Sequence, residues 1–235
     1  MGRIGIPSND ETALDGSPID EDGALTEVAR PEPLSFTRGM NPRAMISWVR
    51  HVHGDAGVRQ LAAALPQDMI DDLGGPALRP SSMAWIPFLT NARLIEAIDV
   101  VFGRGDHGLL REVGRYMARH DFPAVAKPMA MMLSPGLFVD LSVKIWRLYH
   151  SHGHWEVLRS RREIQASLFA RPESHRAFCE GTMGWIEGAM IFCGAVDVVA
   201  NEERCAARGA TCCSIRVRWV EARDAVVDRT PRPPT

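Results

Sequence analysis

The sequence predicts an α+β fold: several N-terminal helices followed by a small antiparallel sheet packed on a long helix, with a cysteine clip at a hairpin tip. Three observations predict it. Apolar residues recur at helical spacing in most segments between residues 41 and 149. Segments rich in β-branched and aromatic residues, with alternation clearest in "CSIRVRWV", appear only after residue 154. Three of the five cysteines fall within the nine residues 205–213, at a Gly-containing turn between two such segments.

The elements follow in order. Residues 1–33 carry eight acids and two bases, are rich in Pro, Gly, Ser and Asp and show no apolar period. They read as a disordered acidic tail. A helical subdomain is expected over 34–102. "NPRAMISWVRHV" starts a helix, with Asn41 at the cap and Pro42 in the first turn, and "HVHGD" marks its end. "GVRQLAAAL", "PQDMIDDL" and "FLTNARLIEAIDVVFG" add further helices. "GRGDHG" has neither the strand–loop–helix context nor the Lys of a phosphate loop and is set aside. A second unit is expected over 103–220. It opens with the amphipathic helix in "LLREVGRYMARHDF", continues through a Pro-broken apolar stretch, and caps "PGLFVDLSVKIWRLYH" at Ser134. "HWEVLRSRREIQASLFA" supplies two short strands joined near Arg161–Arg162. "SHRAFCEGTMGWIEGAMIFCG" is the long helix, ended by Gly194. "AVDVVA" and "CSIRVRWV" are the closing strands, and 221–235 is a flexible tail.

Apolar content of 46%, charged content of 24% and a net charge of −2 are those of an ordinary globular protein. They give no general attraction to nucleic acid or anionic lipid. No apolar run reaches the ~18–20 residues of a membrane span, and no signal segment opens the chain. The expectation is a cytoplasmic protein with reduced thiols.

Helix and strand geometry bring the cysteines together. Cys179 to Cys193 spans about 21 Å of helix at ~1.5 Å per residue. The returning strand from Ala195 to Glu202 covers about 23 Å at ~3.3 Å per residue. Glu202 then regains the level of Cys179, with Cys205 just past the tip. Cys213 shares the apolar face of the next strand with Ile215, Val217 and Trp219. Cys179, Glu202, Cys205 and Cys213 can therefore converge, whereas Cys193 cannot join them. Such a set suits a closed tetrahedral zinc site. His175, four residues before Cys179, rivals Glu202 as the fourth ligand, and three buried thiols acting as small core residues remain the plain alternative.

These residues carry a resemblance. "FCEGTMGWIEGAMIFCGAVDVVANEERCAARGATCCSIRVRW" resembles the end of the 4-vinyl reductase type domain, the effector-sensing part of phenol- and xylene-responsive activators. The resemblance covers roughly 103–220 and extends in fold to haem-based nitric oxide sensing domains and transport-particle subunits. It implies structural zinc on Cys179, Glu202, Cys205 and Cys213. It also implies an internal pocket for a small apolar ligand, lined by Met and aromatic residues such as Trp146, Tyr149 and Met183. The implied protein is a sensory module that acts as a homodimer through an output partner; neither catalysis nor nucleic acid or membrane contact is expected. Haem or tetrapyrrole binding and a ligand-free scaffold are the alternatives. No catalytic constellation is evident, and the alternating His150, His152 and His154 fit a solvated helix exit better than a metal site.

Overall fold

The computed structural model of the protein describes residues 34–121 and 134–221. Among them the elements are β1 (Phe36–Arg38), α1 (Met40–Ala64), α2 (Gln67–Asp72), β2 (Trp85–Pro87), α3 (Phe88–Phe102), α4 (Leu110–Asp121), α5 (Pro135–Tyr149), β3 (His154–Arg159), β4 (Glu163–Phe169), α6 (Arg176–Phe192), β5 (Ala195–Arg204) and β6 (Cys213–Glu221). The fold is α+β, as expected. The Pro-broken stretch before Ser134, including Met129, Met131 and Met132, lies outside the described residues.

The main sheet is wholly antiparallel in the order β3-β4-β6-β5. α6 is the axis of the molecule: it packs on β5 on one side and on α4 and α3 on the other. The α4–α6 approach is close because glycines line it. A Cβ on Gly114 would stand 2.1 Å from the Gly181 carbonyl oxygen, and one on Gly184 would stand 2.2 Å from that of Arg111. The crossing is pinned by Arg111. It donates to Glu180 (3.2 Å), to the buried carboxylate of Glu187 (3.1 Å) and to the Ala200 carbonyl on β5 (2.9 Å). Glu187 also accepts from Arg115 and from the Ala200 amide, so every element at the crossing shares one charge network.

Two core clusters flank α6. One joins α1, α2, α3 and α4, and the other joins α5 and α6 to the inner face of the sheet. Helix ends differ from expectation by small, explicable shifts. α1 starts at Met40 with Gly39 as its cap, while Asn41 turns its amide onto the Thr37 hydroxyl (2.6 Å). "HVHGD" does not end the helical region: Gly54, at φ 65°, kinks it and helix resumes at once. Ser134 caps α5 through Leu137 N–H (3.3 Å), as read from sequence. The "GRGDHG" loop wraps the buried Asp99, whose carboxylate accepts from the amides of His107 and Leu109.

Candidate metal centre and cavity

The long helix, the β5 strand and the hairpin tip deliver three thiols to one point. Cys179 lies in the first turn of α6. Cys205 follows β5 and starts a 3-10 turn that Gly209 closes at φ 90°. Cys213 opens β6. Cys179 Sγ is 3.6 Å from Cys213 Sγ and 3.9 Å from Cys205 Sγ, and all three are buried and unbridged. Sulfurs around a tetrahedral zinc at ~2.3 Å stand about 3.8 Å apart. Two separations of the trio lie near that value and the third is within 4.8 Å, so the three cysteines could hold a metal ion. Cys193 and Cys212 are buried elsewhere and do not belong to it.

The electrostatics suit a cation. Cys213 is held down to about 6, first by the hydrogen bond it shares with Cys179, then by the Ala206 amide (3.4 Å) and by Arg171. The paired Cys179 is pushed up, first by that same hydrogen bond and then by burial, and a metal bound there would displace its proton. Burial and the neighbouring Glu202 raise Cys205. Glu202 itself is nearly buried. One oxygen accepts from Arg208, and Oε1 has no partner among the described residues. Among the described residues, the ligand atoms that lie within 4.8 Å of one another are those of the three cysteines alone, so Glu202, the expected fourth ligand, stands beside the trio rather than in it. Three thiolates and a carboxylate around Zn²⁺ leave about two excess negative charges. Arg208 faces Glu202, and the guanidinium of Arg171 faces Cys179 and Cys213, so cations stand ready to offset them.

His175 is placed otherwise. It is the cap of α6, with an extended backbone (φ −145°), and does not share the helical face of Cys179. Its ring points to Glu96 on α3, at 3.5 Å. Among the described residues, only the cysteine trio brings three potential ligand atoms within 4.8 Å of one another.

Beside this centre lies a cavity of about 140 Å³, bounded by α1, α3, α4, α5, α6 and the inner face of β3 and β4. Trp146 and Tyr149 line it. Met183 does not: it is fully buried on another side of α6, with its sulfur against Arg111 at 3.3 Å. Phe178, Gly181, Thr182 and Trp185 present the cavity face of the helix. His150 is the lining histidine. It stacks on Trp146 with ring centres 3.8 Å apart, and burial, then Arg171, hold it down to about 3, so it is neutral. His152 and His154 turn instead to Ser151 and Glu156, so the three histidines form no site. Sequence reasoning missed Asn91, His150 and Arg171. Asn91 interrupts the apolar spacing of Phe88, Ile95 and Ile98, and His150 follows Trp146 by four; both signals were present. Arg171 lies between elements and had none.

The sequence matches no known family profile and no curated protein. Solved structures do match the architecture. An H-NOX protein from K. algicida in the Fe(II) unliganded state superposes with a TM-score of 0.57 at 10% identity, covering 78% of this chain and 97% of that one. An H-NOX protein from S. oneidensis in the Fe(II)NO ligation state gives 0.52 at 11% identity, covering 78% and 99%. A structure described for haem redox potential modulated by porphyrin distortion gives 0.54 at 15%, covering 77% and 99%. The fold is that of the H-NOX proteins.

Haem can be tested against the cavity. The space is close to the ~150 Å³ that accepts a single benzene. A porphyrin joins four pyrrole rings, each near that size, and its propionates seek cations, yet among the described residues no Arg or Lys lines the cavity. His150 supplies one neutral imidazole, but the cavity as built does not fit a haem.

Proposed function

We propose that the protein is a small-molecule sensing module, not an enzyme. It holds a ring-sized apolar ligand in the central cavity and a structural zinc ion on Cys179, Glu202, Cys205 and Cys213, and it signals as a homodimer to a partner protein. The sulfur spacing is the observation that carries the zinc reading: 3.6 and 3.9 Å bracket the tetrahedral value. The sensing reading draws on the H-NOX fold and on an apolar cavity enclosed by both layers of that fold.

Two measurements test it. Metal analysis of protein purified without chelator should give about one zinc per chain. Cys205→Ser and Cys213→Ser should lose it together with stability, while Cys193→Ser and Cys212→Ser should keep it. A metal-free parent protein would return the cysteines to ordinary core residues. Thermal unfolding with toluene should show a stabilisation that grows with concentration and weakens in Trp146→Ala. Haem is the rival ligand because of the fold. A haem absorption band in the purified protein would replace the apolar-ligand reading.

A further inference from the structure

The cavity is apolar with one exception that its walls do not resolve. Asn91 is fully buried on α3 and lines the cavity, and neither Nδ2 nor Oδ1 has a hydrogen-bond partner among the described residues. Native proteins rarely leave a buried amide in this condition, because water satisfied it in the unfolded chain. A Leu would pack in the same apolar stripe without that cost.

Three other polar lining residues are engaged. Asn41 donates to Thr37 (2.6 Å), Ser142 to the Val139 carbonyl (2.8 Å), and the Trp146 indole to the His152 carbonyl (3.1 Å). Among the described residues no Asp, Glu, Lys or Arg lines the space, and His150 is neutral there. An anionic or cationic head group would therefore enter without a counter-ion. The volume, about 140 Å³, admits one ring.

We infer that Asn91 recognises a neutral, ring-sized ligand carrying a hydrogen-bond donor and acceptor side by side, the pattern of a lactam or carboxamide. The amide of Asn91 offers the complementary pair: its Nδ2–H donates to the ligand carbonyl, and its Oδ1 accepts the ligand N–H. A lone hydroxyl cannot satisfy both ends in that planar geometry, and a hydrocarbon satisfies neither. This assignment rests on the cavity being a ligand site, as proposed above, and adds the chemical class.

The test uses the full chain and the simplest ring with such an edge, 2-pyridone, with toluene as the apolar control. Calorimetric titration should show 2-pyridone binding to the native protein and weakening roughly tenfold to hundredfold in Asn91→Leu. Toluene should bind Asn91→Leu at least as well as native protein. Equal 2-pyridone affinity in the two proteins would overturn the inference and leave the cavity reading standing. Phenol binding the native protein as tightly as 2-pyridone would also overturn it. If neither toluene nor 2-pyridone binds the native protein, the cavity reading falls with it. N-methyl-2-pyridone, which lacks the donor, gives a check that needs no variant: it should bind native protein at least tenfold more weakly than 2-pyridone, and equal binding would refute the assignment.

Discussion

His150 shows how one side chain ties the cavity to the pH response of the fold. Its imidazole is buried against Trp146 and held down to about 3, mainly by desolvation and secondarily by Arg171. In the unfolded chain the same group titrates near 6.5. Between those values the unfolded state binds a proton that the folded state refuses, so folding stability rises with pH across the window and is lost as pH falls from 6.5 towards 3. The slope from this one group approaches ~1.4 kcal/mol per pH unit. His150→Leu keeps an apolar wall and removes the group. Chemical denaturation of both proteins between pH 6.5 and 4.5 should therefore show a shallower loss in the variant. Parallel pH profiles would mean that His150 stays charged when folded. The comparison with native protein matters, because protonation of a metal-loaded cysteine centre would also cost stability, and that part would be common to both.

At the scale of elements, the crossing of α4 over α6 sets the architecture. Its closeness depends on residues with no side chain: a Cβ on Gly184 would meet the Arg111 carbonyl oxygen at 2.2 Å and its Cα at 2.6 Å. Backbone cannot swing aside as a side chain can, so Gly184→Ala must push the helices apart and strain the Arg111–Glu187 network. A loss of at least about 1–3 kcal/mol is expected, read as a lowered denaturation midpoint. The matched control is Gly54→Ala, where nothing lies within 4 Å and only the positive φ is penalised. A Gly184→Ala protein as stable as the parent would show that the helices cross more loosely than described. This crossing also marks a limit of reading from sequence. The periods of α3 and α6, the two strands on either side of Arg161–Arg162 and the Ser134 cap were all visible, because each is a local pattern. The kinked continuation at Gly54 was not, since a glycine near two histidines looks the same at a helix end as at a bend. Nor could spacing show that Gly114 and Gly184 face each other: that pairing depends on how two distant helices meet.

Across the whole molecule, the thiol trio could be anticipated because it rests on two lengths, a helix and a strand running back along it. The cavity lining could not be derived that way. Trp146 and Tyr149 reach it from α5, but Met183 falls on another face of α6, a difference of helix rotation that composition does not encode. The two sites nonetheless share a wall. Trp146 and Trp155 line the cavity and also pack against the cluster of Cys179, Cys205, Cys213 and Leu168. They meet edge to face, with ring centres 5.6 Å apart. Phe178, immediately before Cys179 on α6, lies on the cavity side, and the guanidinium of Arg171 spans from its ring (4.5 Å) towards the cysteines. A metal that fixes the first turn of α6 would thus fix part of the ligand wall, and a ligand pressing on the two tryptophans would bear on the thiols. Linkage then requires the effect to run both ways with one coupling constant. Zinc release to a chromogenic chelator should slow when the cavity is saturated with toluene, and the metal-depleted protein, where it stays folded, should bind toluene several-fold more weakly. Trp155→Leu should reduce both effects, because it removes shared wall without touching a thiol. Release rates that ignore saturating toluene, in protein shown to bind it, would mean that the centre only clamps the hairpin tip and takes no part in reporting the ligand.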